Sequence, residues 1–162
     1  MAKDKDEAVA TPGTFEYIEK TIRDGATKTE FGRDFEWLCK YYLENHPVYR
    51  SQIERVWLWN DWPDRWGADI GIDLIVLTKG GKLWAVQSKA TGPAHHIRKS
   101  EIDSFLSESN RPEVSYRLLI ATTDNIGRNA RKTIRGQEKG VGLILRSDLL
   151  RNDVVWPGKI GD

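Results

Sequence analysis

Apolar residues in the first third of the chain recur at the spacing of one face of a helix. They predict two helices, the first of which is marked by Phe15, Ile18 and Ile22. The second runs from Phe31 to Tyr42, follows a capping-box sequence at Thr27-Lys28-Thr29-Glu30, and ends at Asn45-His46-Pro47. Cys39, the only cysteine, lies on the apolar stripe of this helix, so we expect it to pack in the core.

The rest of the chain alternates between predicted strands and helices. Strands are predicted at residues 53–59, in a hairpin around Gly80-Gly81, at 116–123 and at 141–145. One helix is capped by Ser100 and buries Ile102, Phe105 and Leu106; the next is marked by Ile126, Ala130 and Ile134, with Thr122, Thr123 and Asn125 as candidate caps. Short apolar segments follow at 147–150 and 154–156. This order predicts a single α/β domain.

The hairpin places three polar residues where strands usually bury apolar ones. If Lys79-Gly80-Gly81 is a three-residue loop, paired positions sum to 160 and Asp73 faces Gln87, on the face that also carries Lys89. A two-residue loop would send Asp73 to the opposite face. Both faces of the hairpin are otherwise largely apolar, which indicates a sheet covered by helices on two sides.

A carboxylate, an amide oxygen and an amine brought together in this way suit the hydrolysis of a phosphodiester. Asp73, the side-chain oxygen of Gln87 and the backbone carbonyl of Ser88 are candidate ligands for Mg²⁺, which prefers oxygen donors and which Mn²⁺ can replace. Lys89 is a candidate to orient or deprotonate the attacking water and to offset charge on the phosphate. The sequence therefore predicts a metal-dependent nuclease.

Composition fits a single domain in the cytoplasm. The 162 residues are 39% hydrophobic, with no apolar run long enough for a membrane span and no signal-peptide pattern at the charged start. A single cysteine excludes an internal disulfide and is consistent with a reducing compartment. Residues 1–12 are charged, end in a turn sequence, and predict a disordered arm.

Charge is unevenly distributed along the chain. The net charge is +1, but residues 111–151 carry nine basic and four acidic side chains, which indicates one basic face and double-stranded DNA as the partner. Its centre is a predicted helix face with Arg128, Arg131, Lys132 and Arg135. An ordinary solvated surface explains each of these side chains equally well. His95 and His96 are adjacent and so make a poor chelating pair; phosphate contacts are expected instead.

Four tryptophans lie on the approach to the hairpin: Trp57, Trp59, Trp62 and Trp66. Such residues stack on bases in some nucleic-acid-binding proteins, but on strands and strand ends they more often pack in the core. We therefore expect packing. The sequence contains no recognisable base-reading motif.

The order of elements, with Asp73 and the Gln87-Ser88-Lys89 segment, resembles the PD-(D/E)xK nuclease superfamily and, within it, the Mrr-type restriction endonucleases. The likeness covers roughly Phe31 to Leu149. It implies a restriction-endonuclease-like fold at residues 13–158, with a central mixed β-sheet flanked by helices on both faces. Glutamine in place of the superfamily's commoner glutamate removes one negative charge and is usual in this branch.

The resemblance also assigns two further acids. Glu36, in Gly32-Arg33-Asp34-Phe35-Glu36, falls at the position of the family's first-helix acid and would hold metal-bound water; otherwise it is a solvent-facing charge. Asp69, in Asp69-Ile70-Gly71-Ile72-Asp73, is either a supporting acid or a strand-entry residue.

The tryptophan-rich segment resembles one subgroup more closely, the amino-terminal nuclease domain of single-polypeptide restriction-modification enzymes related to type I systems. This implies covalently linked helicase-like, methyltransferase and target-recognition domains. Two other interpretations fit the same residues: a catalytically silent DNA-binding module of the same fold, and an RNA-directed or junction-resolving nuclease.

Overall fold

The computed structural model describes residues 10–68 and 70–161. The chain begins with helices α1 (Phe15–Arg23), α2 (Lys28–Asn45) and α3 (Pro47–Gln52). Strand β1 (Ile53–Leu58), a 3-10 turn (Trp59–Asp61), and strands β2 (Leu74–Thr78) and β3 (Leu83–Lys89) follow. The remaining elements are α4 (Lys99–Glu108), β4 (Val114–Ala121), α5 (Arg128–Arg135), β5 (Val141–Ile144) and α6 (Arg146–Leu149). Most of the predicted arm, residues 1–9, lies outside the described part.

The five strands form one mixed sheet in the order β1-β2-β3-β4-β5. β1, β2 and β3 pair antiparallel, whereas β3, β4 and β5 pair parallel. The carboxyl ends of β1, β3, β4 and β5 therefore meet the start of β2 at one end of the sheet, which we call the site edge. The predicted mixed sheet is confirmed.

The predicted register of the hairpin is also confirmed. Leu74 pairs with Val86 and Leu77 with Leu83, so paired positions sum to 160. The amide of Thr78 donates to the carbonyl of Lys82 over 2.8 Å, and Gly81 closes the loop at a φ of +82°, a conformation that favours glycine. The two-residue loop is wrong.

Helices cover both faces of the sheet, as the apolar hairpin predicted. One face buries Leu74, Val76 and Val86 under α1 and α2, and the other buries Ile75 and Ala85 under α4 and α5. Cys39 is 1% exposed in the first core, and burial raises the pKa of its thiol, so packing is its role. Within the described residues, no helix is long and apolar enough to cross a bilayer.

Some element boundaries differ from the predictions. Pro47 ends α2 but also begins α3, because proline suits the first turn of a helix, where its missing N–H costs nothing. Ser100 does not cap α4, whose N-cap is Arg98; the carboxylate of Glu101 accepts the Arg98 N–H at 2.9 Å. The short apolar segment at 154–156 packs into the first core through Val154 and Trp156.

The candidate caps before α5 are a second correction. α5 begins at Arg128 with Gly127 as N-cap and no side-chain cap, while Ile126 forms a parallel bridge to Ile97. The hydroxyl of Thr122 instead donates to the carbonyl of Thr91 over 2.7 Å. That of Thr123 lies 2.9 Å and 2.8 Å from the carbonyls of Pro93 and His95. These contacts fix the loop after β3 at the site edge.

The tryptophans are mainly packing residues, as predicted. Trp59 and Trp62 are 4% and 6% exposed, and each has its ring centroid 5.0–5.9 Å from those of the other and of Trp66. Trp57 lies partly exposed on the edge strand β1, with the guanidinium of Arg55 4.9 Å from its ring centroid.

Candidate active site

Asp73 lies at the site edge, one residue before β2. Its amide still pairs with the carbonyl of Val86 at 2.9 Å, so the residue is held as part of the sheet. Its carboxylate oxygen Oδ2 accepts the backbone N–H of Ser88 at 2.8 Å and the Ser88 hydroxyl at 3.3 Å. The two strands of the hairpin thus position the carboxylate directly.

Gln87 is buried, with 5% of its surface exposed. Its side-chain amide Nε2 donates to the carbonyl of Gly71 over 3.1 Å, which turns the other end of the group away. That end, Oε1, is buried and has no hydrogen-bond partner among the described residues. A buried acceptor in this state is costly, and a bound cation would satisfy it.

Gly71 allows this arrangement. Its φ of +90° bends the chain before Asp73, and a β-carbon there would lie only 3.3 Å from the backbone nitrogen of Phe105 in α4. The turn and the close approach of α4 together place the Gly71 carbonyl against Gln87. The glycine between Asp69 and Asp73 therefore has a structural cause.

Glu36 reaches the same place from α2. Burial, and then the neighbouring charge of Asp73, raises the pKa of Glu36 to about 7. Burial also raises the pKa of Asp73, although hydrogen bonds from Ser88 and the charge of Lys89 oppose it. Glu36 is half-buried and lines the same cavity as Asp73, so it is not a solvent-facing charge.

Lys89 is the last residue of β3. Its positive charge opposes the rise in the pKa of Asp73 and helps to lower that of Glu101 in α4. Burial alone would raise the pKa of Glu101, but the Arg98 N–H, the His95 side chain and Lys89 outweigh it and lower that pKa. Lys89 therefore contributes positive charge at the same end of the sheet as Asp73.

A cavity of about 450 Å³ opens in front of Asp73 and Glu36, and neither Gln87 nor Lys89 is among its lining residues. Asp73, Glu36 and Arg33 line it, together with Gly71, Ile72 and the segment from Leu58 to Asp61. Among the described residues, no group of three or more His, Cys, Asp or Glu side chains is arranged to hold a metal ion. A hard cation would therefore have to combine one or two carboxylates with amide, main-chain and substrate oxygens, a set that suits Mg²⁺.

The predicted basic helix face exists on α5. All four of its side chains are exposed: Arg128, Arg131, Lys132 and Arg135. The amide of Gly127 donates to the carbonyl of Ile97 over 2.8 Å, which ties the start of α5 to the site-edge loop. The basic face therefore begins near the candidate site and runs away from it.

The histidines after Lys89 differ from each other. His95 Nε2 lies 3.1 Å and 3.0 Å from the two carboxylate oxygens of Glu101, so that edge of the ring is committed to a protein partner. His96 is exposed. Contact of either residue with phosphate stays a prediction.

Two contributions were not predicted. The Ser88 hydroxyl bonds to Asp73, and a serine on a strand face otherwise occupied by Trp84 and Val86 was a signal of that. Arg33 lines the cavity, which only the packing of α2 against the hairpin reveals. Asp69 lies outside the described residues.

Comparison with known proteins gives one family and several similar folds. Residues 44–159 match the family model described as a restriction endonuclease, of the Mrr catalytic type. This range includes Asp73, Gln87 and Lys89 but not Glu36. No match was found among curated proteins.

Solved structures include the ATP-dependent Type ISP restriction-modification enzyme LlaBIII bound to DNA, at 35% identity and a TM-score of 0.68 over 85% of this chain and 8% of that one. The MspJI restriction endonuclease in complex with a 27-mer oligonucleotide is 19% identical, with a TM-score of 0.58 over 90% of this chain and 34% of that one. The DNA modification-dependent restriction endonuclease AspBHI is 19% identical, with a TM-score of 0.54 over 91% of this chain and 36% of that one. The last two show the fold alone, and this chain spans only a small part of each protein.

Proposed function

This chain belongs to the Mrr-type restriction endonuclease family, and from that premise we propose that it hydrolyses phosphodiester bonds of double-stranded DNA with Mg²⁺, or Mn²⁺ in its place. The observation that carries the proposal is the buried, unpartnered Oε1 of Gln87 in the strand that also presents Ser88 to the Asp73 carboxylate. A buried amide oxygen without a hydrogen-bond partner, in a strand that also holds a carboxylate, fits a hard cation.

The ligands of the ion would be Asp73, Gln87 and the main-chain carbonyl of Ser88. A bound Mg²⁺ would polarise the phosphoryl oxygen and supply activated water. Lys89 would orient that water and balance the charge that develops on the phosphate. Glu36, with a pKa of about 7, would hold the water beside Asp73 and exchange a proton with it.

The chain would act as a module of a larger cytoplasmic restriction-modification polypeptide. The match to the Type ISP enzyme supports this, because it covers 85% of this chain and only 8% of that enzyme. By analogy, helicase-like, methyltransferase and target-recognition domains would be attached to it. Exposed basic residues of α5 would then contact the phosphates of the duplex without reading its sequence.

A plasmid assay tests the proposal. Supercoiled plasmid is incubated with the chain, with and without Mg²⁺ or Mn²⁺, and nicked and linear products are measured. We expect cleavage only with metal, and a loss of about 10²–10⁴-fold in the Lys89→Ala variant, the usual size of a proton-transfer contribution. Lys82→Ala, in the hairpin at the other end of the sheet, is the matched control and should cut normally.

Asp73→Ala gives a second test at the metal itself. Cleavage and metal binding should both be lost, while the melting temperature holds or rises, because a half-buried carboxylate with a raised pKa is removed. Full activity of this variant would end the proposal. Normal duplex binding by a parent chain that never cuts would indicate the catalytically silent module instead.

A further inference from the structure

A second cavity lies immediately beyond Lys89. It has a volume of about 410 Å³ and is lined by the residues after β3 from Ala90 to Gly92, by His95 and Glu101, and by Arg23, Lys28 and Phe31. We call it the flanking hollow. Because Ala90, the residue after Lys89, lines this hollow, the hollow adjoins the carboxyl end of β3, where Gln87, Ser88 and Lys89 lie.

One wall of the flanking hollow carries a fixed positive charge. The Arg23 guanidinium donates to Glu19 over 3.2 Å and 2.9 Å and to the carbonyl of Thr91 over 2.8 Å, and it lies 4.1 Å from the ring centroid of Phe31. Glu19 also accepts two bonds from Arg146, at 2.6 Å and 2.7 Å. Two guanidinium groups thus share one carboxylate, so the network of Arg23, Arg146 and Glu19 carries a net positive charge, and Arg23 presents it to the hollow.

The rim and floor leave room for a ligand. Lys28, the first residue of α2, is exposed at the rim. A β-carbon added at Gly92 would meet no atom within 4 Å. The Glu101 carboxylate, the acid that faces the hollow, is occupied by His95 and by the Arg98 N–H.

Helix α2 connects the two cavities. Lys28 and Phe31 line the flanking hollow, while Arg33 and Glu36, further along the same helix, line the cavity in front of Asp73. A nucleic-acid strand is continuous, so a strand whose phosphate is at Asp73 and Lys89 must leave the site past a neighbouring surface. The surface next to Lys89 is the flanking hollow.

We propose that the flanking hollow holds the phosphate adjacent to the scissile one on the cleaved DNA strand, with Lys28 as a direct contact and Arg23 as the fixed cation of the wall. The proposal rests on the proposed nuclease function. Such a contact would set the register of the strand over Asp73 without reading its bases.

Methylphosphonate substitution tests the contact, since it removes the charge of a single linkage. Labelled duplexes that each carry one substituted linkage are cut by the parent chain and mapped. We expect cuts to be depleted at the substituted linkage and at one fixed neighbouring linkage. In Lys28→Gln the neighbouring depletion should disappear, whereas Lys82→Gln should keep both. A parent pattern with depletion only at the substituted linkage would overturn the proposal.

Duplex binding without divalent metal is an independent measurement. Lys28→Gln should make the plot of log affinity against log salt concentration less steep by about 0.9. Between 50 and 200 mM salt, this variant should therefore lose roughly threefold less affinity than the parent. Gly92→Leu should weaken binding by filling the hollow, and its unchanged melting temperature would exclude misfolding. If the parent does not cut, the proposed nuclease fails, but the binding result still decides the hollow. A salt slope of Lys28→Gln equal to the parent's, together with an unchanged affinity of Gly92→Leu, would refute it.

Discussion

Gln87 determines the charge of the candidate metal site. With a neutral amide, the carboxylate of Asp73 would be the main anionic ligand of the proposed ion, and Glu36, which lines the same cavity, would be the second acid. The amide also has a structural part, because its Nε2 binds the Gly71 carbonyl and so leaves Oε1 directed elsewhere. A glutamate at this position would change both properties at once.

Gln87→Glu should therefore have opposite effects without and with metal. Loss of the donor to Gly71 places a carboxylate against a carbonyl and should lower the free energy of unfolding by about 1–3 kcal/mol without metal. Mg²⁺ should then raise the melting temperature more than in the parent, since a charged ligand binds it more strongly.

Calorimetric melting across a Mg²⁺ titration measures both effects, with the exposed Gln52→Glu as the matched control. A Gln87→Glu variant that responds to Mg²⁺ more weakly than the parent would show that Gln87 is not a ligand.

Among the elements, α1 is joined to the site edge by a largely buried network of ion pairs. Glu19 of α1 is 6% exposed and binds Arg146 at the start of α6, and Arg146 also donates to the carbonyl of Thr122 after β4. Burial alone would raise the pKa of Glu19, but hydrogen bonds and charge from Arg146 and Arg23 outweigh it and lower that pKa. The network also holds the wall of the flanking hollow.

Glu19→Gln should destabilise the fold by about 3 kcal/mol, the lower end for a broken buried ion pair, because the two arginines are partly exposed. Because the pKa of Glu19 is lower in the folded protein than its usual value of 4.5, the ionised carboxylate stabilises the fold at any pH above 4.5. This stabilisation is lost as the pH falls from 4.5 through the pKa of the folded state.

Chemical denaturation from pH 7 to pH 3 checks this, with exposed Glu138→Gln as control. The difference between parent and Glu19→Gln should be full at neutral pH and shrink below about pH 4.5. A difference that stays constant over that range would contradict the network's role.

Helix α5 permits a prediction about DNA. Its four exposed basic residues lie at i, i+3, i+4 and i+7, so replacing Arg128, Arg131, Lys132 and Arg135 with glutamine discharges one face. For every phosphate that this face no longer binds, the log-log salt slope of duplex binding should fall by about 0.9. The comparison is a Lys79→Gln, Lys82→Gln double variant, and an unchanged slope in the α5 variant would show that this face does not contact DNA.

At the scale of the whole molecule, the basic segment at residues 111–151 presents fewer free positive charges than its composition indicates. Arg117 is completely buried, where its guanidinium binds Leu106 and Lys139 carbonyls, Ser109 and Gln137. Arg146 is bound to Glu19, and the Lys139 ammonium donates to the Arg111 carbonyl. Fewer cations remain to bind DNA, which supports the proposal that attached domains would supply the substrate.

We expect the chain alone to cut DNA slowly and at many sequences. With few free cations and no recognisable base-reading motif, the chain should bind DNA weakly and without selecting a sequence, whereas attachment to a motor would supply DNA at high effective concentration. Sequencing the ends produced from long random DNA measures this. Efficient cutting at one defined sequence by this chain alone would refute it.

The amino-acid sequence by itself determined the elements whose cause is local. The capping box at the start of α2 and the loop at Gly81 act over a few residues, and the period-two pattern then fixed the hairpin register. That register was enough to predict that Asp73 and the Gln87-Ser88-Lys89 segment meet. The choice of these residues as a nuclease site came from their chemistry and from the family resemblance.

Tertiary packing decided what depends on distant segments. Which carboxylate stands beside Asp73, whether Thr122 caps a helix or anchors a loop, and whether Arg117 lies on the surface or in the core all follow from contacts between elements far apart in the chain. The spacing of apolar residues carries no information about such contacts, because an arginine or threonine has the same charge and hydrogen-bonding groups on the surface and in the core. The unpartnered Oε1 of Gln87 and the flanking hollow exist only because α2, α4 and the hairpin meet at one end of the sheet.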